Sequence, residues 1–242
     1  MTSNRQRLEN EPAFILHSYP FRETSLLLEV FSRNHGRLPM VARGARRPRS
    51  LLRGLLMAFQ PLQLSWFGKG EVRTLHSAEW QGGQPQLQGT ALLCGFYLNE
   101  LLINLMARDD AHEQLFDNYR QALQRLAQGA DHAATLRSFE KHMLQELGYA
   151  LTLEQEAGSG KPIDAAASYI YVIERGALPQ DANVPDGLTV KGKTLLDMAA
   201  DDYRDGVSAL QSKQLMRLLL NHYLAGKELH TRELIKDLQK IY

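Results

Sequence analysis

The chain has 242 residues, with 28 lysines and arginines against 27 aspartates and glutamates, 44% hydrophobic residues and a single cysteine. Such a length builds one large domain or two small ones around a sizeable core, and the composition is that of a soluble globular protein. One cysteine excludes an internal disulfide framework and a cysteine-rich zinc site. The opening MTSNRQRLENEP is too polar for a signal peptide, and no apolar run is long enough to span a bilayer, so a cytoplasmic protein is expected. The near-neutral total hides an asymmetry: residues 1–80 carry 12 cations against 6 acids, and residues 81–242 carry 16 against 21. A basic front joined to an acidic back suggests a different partner for each half.

The front reads as strands. AFILHSY (13–19) and SLLLEVFS (25–32) are short apolar runs separated by PFRET. The turn signal NHGR precedes RLPMVARGA (37–45), and AFQPLQLSWF (58–67) and EVRTLHSAEW (71–80) flank the glycine-rich connection GKG. Pro39 and Pro61 push parts of these runs to edges or bulges. Five strands with the longest connection between the third and fourth outline a small Greek-key barrel, the pattern of an OB-fold. QGGQPQLQG (81–89) is a linker, after which the period changes. TALLCGFYLNELLINLMA (90–107) is apolar and too long for a strand, so it reads as a buried helix with Cys94 inside it. DAHEQLFDNYRQALQRLAQG (110–129) opens close to a capping box and stops at Gly129, and DHAATLRSFEKHMLQELG (131–148) has an Asp131 cap and a Gly148 stop. Residues 149–190 are less regular; SALQSKQLMRLLLNHYL (208–224) and TRELIKDLQKI (231–241) are the clearest later helices. The expected fold is therefore multidomain β plus α: an OB-fold over 1–80, then an all-helical domain over 90–242 with an irregular insert at about 149–190.

Catalytic chemistry is not indicated. AGSGKP (157–162) lacks the first glycine of a phosphate loop, and Pro162 stands where a Ser or Thr would hold magnesium. The eight histidines form no HExxH pair and no His/Cys cluster, there is no GxSxG elbow, and Cys94 in an apolar helix is a poor nucleophile. Asp109–Asp110 and Asp201–Asp202 fit helix starts or solvated faces. The reading is a protein that binds, without a cofactor or metal. Its conspicuous feature is VARGARRPRSLLRG (41–54), with Arg43, Arg46, Arg47, Arg49 and Arg53 and no acid. A solvated basic loop is the plain alternative; a polyanion is the functional one, because each phosphate neutralised releases counterion. On an OB-fold that ligand is a nucleic-acid strand tracked by cations and stacked on aromatics, for which Tyr19, Phe21, Trp66 and Phe67 are candidates, although strand aromatics more often belong to the core.

The blocks LHSYPFRETSLLLEVFS, GRLPMVARGARRPRS, FQPLQLSWFGKGEVRTLHSAE, LLCGFYLNELL, LRSFEKHMLQELGY and YLAGKELHTREL run in order over nearly the whole chain. Together they resemble the bacterial recombination mediator family RecO. The resemblance implies an N-terminal OB-fold, a helical C-terminal domain and a role in the RecF pathway of DNA repair. Such proteins bind single- and double-stranded DNA, anneal complementary strands, including strands coated by single-strand-binding protein (SSB), and act with RecR in RecA loading. It makes DNA the expected counterpart of the arginine loop, with Arg22, Arg37, Lys69 and Arg73 completing the candidate set, and it implies a cytoplasmic, nucleoid-associated protein, monomeric on its own. Many relatives carry a four-cysteine zinc module near LEQEAGSGKPID; the cysteines are missing here, so no zinc is expected, and Tyr169 and Tyr171 are the expected anchors. The resemblance also places the acidic C-terminal tail of SSB on the helical domain. Such a tail needs a cation beside an apolar pocket, which Arg137 and Lys141 with Leu136 and Met143 offer. An RNA-associated OB protein, or an adaptor whose basic loop meets an acidic protein, fits the same residues.

Overall fold

The structure is a computed structural model that describes residues 7–149, 151–182, 187–232 and 234. The chain forms two compact units, residues 1–130 with 229–242, and residues 131–228. In the first, five strands, β1 (Arg7–Phe21), β2 (Ser25–Ser32), β3 (Gly36–Ala42), β4 (Leu62–Phe67) and β5 (Arg73–Trp80), form a closed barrel in the order β1-β2-β3-β5-β4. β1 starts earlier than its apolar run suggests because its two halves serve different neighbours. Arg7–Ala13 pairs with β4, and Ala13–Phe21 pairs with β2. The strand bends where its register slips, between Leu8 and Glu11, where Asn10 takes a positive φ of 54°, and again between Ile15 and His17. The sheet is mixed: β3 and β5 run parallel and meet over two pairs only, Met40–Arg73 and Val41–Thr74. Alternation sends Ala13, Ile15, Leu28, Val30, Leu38, Met40, Leu62, Leu64, Trp66 and Leu75 into one barrel core.

The opposite alternation is buried too. Phe14 and Phe31 are each about 1% exposed or less, and they pack against Phe116 and Tyr119 of the helix α2 (Glu113–Ala127), with ring centroids 5.1 to 5.9 Å apart. Four such pairs add roughly 0.5–1.5 kcal/mol each beyond their buried area. The helix α1 (Gly89–Leu105) is apolar around most of its circumference, as befits burial on more than one side. Its one deeply buried polar side chain, Asn99, donates to the Leu16 carbonyl at 2.8 Å and accepts the Tyr119 hydroxyl at 2.5 Å. Leu16 is the extra residue of the second slip in β1, so its carbonyl needs this partner. Burial drives the Tyr119 phenol far above its ordinary range, so it is a permanent donor. At the chain's return, Glu100 of α1 accepts from the His230 and Thr231 backbones and from the Thr231 hydroxyl. Gly36 is fixed by a close approach: its φ is +67°, and an added Cβ would lie 1.9 Å from the Asp110 carbonyl oxygen.

The second unit corrects the expected fold class. It begins with α3 (His132–Glu146), whose N-cap Asp131 accepts from Ala134 as the sequence suggested. Then β6 (Ser168–Val172), β7 (Gly176–Pro179) and β8 (Leu188–Lys191) form an antiparallel sheet in the order β7-β6-β8, followed by α4 (Gly192–Ala199) and α5 (Gly206–Tyr223). The expected fold class, an OB-fold barrel followed by an all-helical domain, is therefore corrected to a closed mixed barrel in which β3 and β5 run parallel, followed by an α+β second unit. The physical reason is visible in SYIYV, a short alternating strand in which Tyr169 and Tyr171 point inward at 2% and 0% exposure, the anchoring role expected of them. The linker at 81–89 marks where strands give way to helices. Packing divides elsewhere, at 130/131, because α1 and α2 bury their apolar faces on the barrel. Most of the helix expected over 231–241 lies outside the described residues.

Replacing Tyr119 with Phe removes one hydroxyl and leaves the Asn99 carbonyl without that donor in a dry site. Urea denaturation should show a loss of about 1–3 kcal/mol; a change of only a few tenths would mean that the node contributes little.

Candidate nucleic-acid interface

The arginine loop is held from beneath. Ala45 and Leu56 are buried in the barrel core and Leu52 packs against it, so the loop has its own apolar anchors between the charges. Arg46 N–H donates to the Thr24 carbonyl at 2.8 Å, tying the loop to the β1–β2 turn, and Gly44 supplies a φ of +68°. Further turns run Arg47 to Gly44, Ser50 to Arg47 and Arg53 to Ser50, ending in a 3-10 helix over Leu51–Gly54. Arg43, Arg46, Arg47, Arg49 and Arg53 all project into solvent, as do Arg22 and Lys69. Among the described residues none of these seven pairs with a carboxylate. Arg46 reaches only the Arg22 carbonyl at 3.5 Å, and Arg22 lies over the Phe21 ring at 5.2 Å. The loop backbone is thus fixed while its guanidinium groups, forks suited to oxyanions, have no carboxylate partner among the described residues.

Two of the nine candidate cations are occupied otherwise. Arg37 bonds Glu29 at 2.9 Å and donates twice to the Met106 carbonyl at the end of α1. Arg73 is paired with Asp109. A third front arginine, Arg33, bridges Glu113 at 2.7 Å and Asp117 at 3.1 Å, and the carboxylates hold its guanidinium pKa above the ordinary value. All three arginines therefore meet the α1–α2 region, which residue spacing along the sequence did not reveal. Of the candidate stacking rings, Trp66 is 4% exposed and belongs to the barrel core. Phe67 is half-buried with Arg7 at 5.8 Å from its centroid, while Tyr19 is open to solvent. Among the described phenylalanine, tyrosine and tryptophan rings of this unit the most exposed is Trp80 at 57%, outside the candidate set; its position at the end of β5, against the polar linker, was the available signal.

In the second unit, Lys141 is 3% exposed and donates to the Met198 and Ala199 carbonyls at the end of α4, with Asp201 at 2.9 Å. It caps a helix and does not face solvent, and Met143 is fully buried. Arg137 keeps a side-chain exposure of 14% and is paired with Glu140, one turn on; Leu136 is half-buried. AGSGKP is a closed turn: Gly160 N–H donates to the Glu156 carbonyl, Glu156 N–H to that of Lys161, and the Ser159 hydroxyl to the Glu156 carboxylate. The amides of Ala157, Gly160 and Lys161 are used within the chain. Among the described residues no group of three or more His, Cys, Asp or Glu could hold a metal ion, and no helix is long and apolar enough to cross a membrane.

A barrel that carries an exposed arginine loop with no carboxylate partner among the described residues has the electrostatics of the class of proteins that bind polyanions. Residues 7–83 match the family described as Recombination protein O N terminal, and residues 86–232 match Recombination protein O C terminal. The chain is similar to the DNA repair protein RecO of Nitrosospira multiformis, at 57% identity over 242 residues covering 100% of both chains. It is likewise similar to the DNA repair protein RecO of Aromatoleum aromaticum, at 53% over 99% of this chain and 100% of the other, and to that of Thiobacillus denitrificans, at 51% over 99% and 96%. The chain belongs to the RecO family.

The two kinds of cation should separate in a stability measurement. Lys141→Ala leaves two carbonyls uncapped and Asp201 without its buried ammonium, with His142 at 3.5 Å as the remaining basic neighbour, and should cost about 2–4 kcal/mol in urea denaturation. Arg47→Ala should stay within about 0.5 kcal/mol of the parent. Equal effects would remove the distinction.

Proposed function

We propose that the protein is a non-enzymatic, DNA-binding mediator of recombinational repair in the RecF pathway, and that its arginine loop is the principal DNA contact. The observation that carries this is the set Arg22, Arg43, Arg46, Arg47, Arg49, Arg53 and Lys69, exposed on one barrel and without carboxylate partners among the described residues. Membership of a family of DNA repair proteins supplies the polyanion. Charge follows the compact units: residues 131–228 hold 10 cations and 14 acids, leaving 18 and 13 for the first unit. DNA, single- or double-stranded, therefore favours the first unit electrostatically. Annealing follows from the same surface, since a strand held through its phosphates keeps its base edges free for a complement.

RecR and SSB are the protein partners of this reading. For the acidic tail of SSB the candidate contact is Arg137 with Leu136 beside it, while Lys141 and Met143 hold the helix from below. A carboxylate docking there exchanges with Glu140 for the guanidinium.

Fluorescence anisotropy of a DNA oligonucleotide across a salt series tests the DNA assignment. Arg46→Ala with Arg47→Ala should weaken binding and flatten the log–log salt slope by roughly 1.5 to 2 units, from two lost phosphate contacts. Arg137→Ala should leave that slope unchanged. An unaltered slope in the loop variant, or a flattened one in Arg137→Ala, contradicts the assignment.

A further inference from the structure

Beside the arginine loop lies a cavity of about 300 Å³, lined by Gly54, Leu55, Met57, Gln60, Trp80, Gln84 and Gln86. Three independent features mark it. Its wall is the exposed indole of Trp80, and the ring is held in place by donation from Nε1 to Oε1 of the buried Gln60 at 3.0 Å. An exposed tryptophan steered by a buried amide is an oriented flat surface, which a freely rotating surface ring is not. Gln84 is 7% exposed, and its Nε2 has no hydrogen-bond partner among the described residues. An amide donor withdrawn from water without an acceptor costs stability unless a ligand supplies one. The cavity's first residue, Gly54, ends the 3-10 helix that carries Arg53, so unneutralised positive charge adjoins its mouth.

We propose that this cavity receives one unpaired nucleobase of the DNA strand bound along the arginine loop. A base is flat and stacks on the Trp80 face; its ring nitrogens and carbonyl oxygens accept from the Gln84 amide; Leu55 and Met57 cover its other edge; and its phosphates fall to the arginines. The volume is at the low end of small-molecule sites, which suits a single base. Stacking on one aromatic is tolerant of base identity, and it selects single strands because a paired base is already stacked and its edge is used. The phosphate loop alone makes no such selection. The inference rests on the reading of the arginine loop as the DNA contact and adds a strand-selective element to it.

The test uses the full chain and two probes of equal length, an oligothymidylate and a chain of abasic deoxyribose phosphates, which keep the same charge with and without bases. The parent protein should bind oligothymidylate more tightly, and Trp80→Ala should reduce that affinity by roughly 5- to 150-fold, the loss typical of one stacked base. Binding of the abasic chain should be unchanged by Trp80→Ala. Trp80→Phe should restore part of the difference, and Gln84→Leu should weaken oligothymidylate alone. Because an indole is quenched when a base stacks on it, oligothymidylate but not the abasic chain should also quench intrinsic fluorescence, and Trp80→Phe should remove that quenching. Equal affinity of the parent for both probes, or discrimination that survives Trp80→Ala, overturns the base pocket. Arg46→Ala with Arg47→Ala weakening neither probe would instead overturn the arginine-loop reading beneath it.

Discussion

Glu29 is the constraint on which the first unit depends. Its carboxylate is 7% exposed in the middle of β2, where an unpaired charge would be prohibitively costly. Arg37 from the neighbouring strand bonds one oxygen at 2.9 Å, and Arg108, beyond α1, bonds the other at 2.7 Å. Arg37 then caps the Met106 carbonyl, so one guanidinium closes the carboxylate and the C-terminus of α1 together. Arg73 with Asp109, and Arg33 with Glu113 and Asp117, continue the seam on either side. The aromatic layer of Phe14, Phe31, Phe116 and Tyr119 lies beneath this polar rim and needs the same placement of α2.

That seam also decides which charges remain for a ligand. The basic front uses part of its positive charge to hold helices, and those arginines sit on strands or beside them. The loop of residues 43–54 lies outside the seam and supplies no acid of its own, so its guanidinium groups have no carboxylate partner among the described residues. Apolar anchors at Ala45, Leu52 and Leu56 fix the loop without drawing on its charges. The result is a division of labour among similar side chains, and the division is made by where acids are folded to, not by the arginines themselves.

The legible and illegible parts of the sequence follow from the range of the physics involved. Strand alternation, the GKG connection, the Asp131 cap and the change of period near 81–89 are local, and the structure places each close to where the residues suggested. Burial of Cys94 and Tyr171 was legible for the same reason, since each sits in an unbroken or alternating apolar pattern. Long-range pairing was not legible. Nothing near Arg37 announces Glu29 and Met106, and nothing near Lys141 announces the α4 carbonyls that draw it inward. Helical spacing put Arg137 and Lys141 on one face, but that face turned out to be packed at Lys141. Residues 149–190 hid a small sheet because strands of four or five residues give too short a period to distinguish from loop.

Front arginines fall into two classes, those neutralised by folded acids and those left without a carboxylate among the described residues. Parallel measurement of unfolding free energy and DNA salt slope in Arg37→Met and in Arg49→Ala with Arg53→Ala tests this most directly. Arg37→Met should lose about 3 kcal/mol or more by leaving Glu29 half-paired, with the slope of its folded fraction intact. The loop pair should keep its stability and lose slope. A destabilised loop variant, or an Arg37 variant whose stability holds while its salt dependence flattens, would contradict the division.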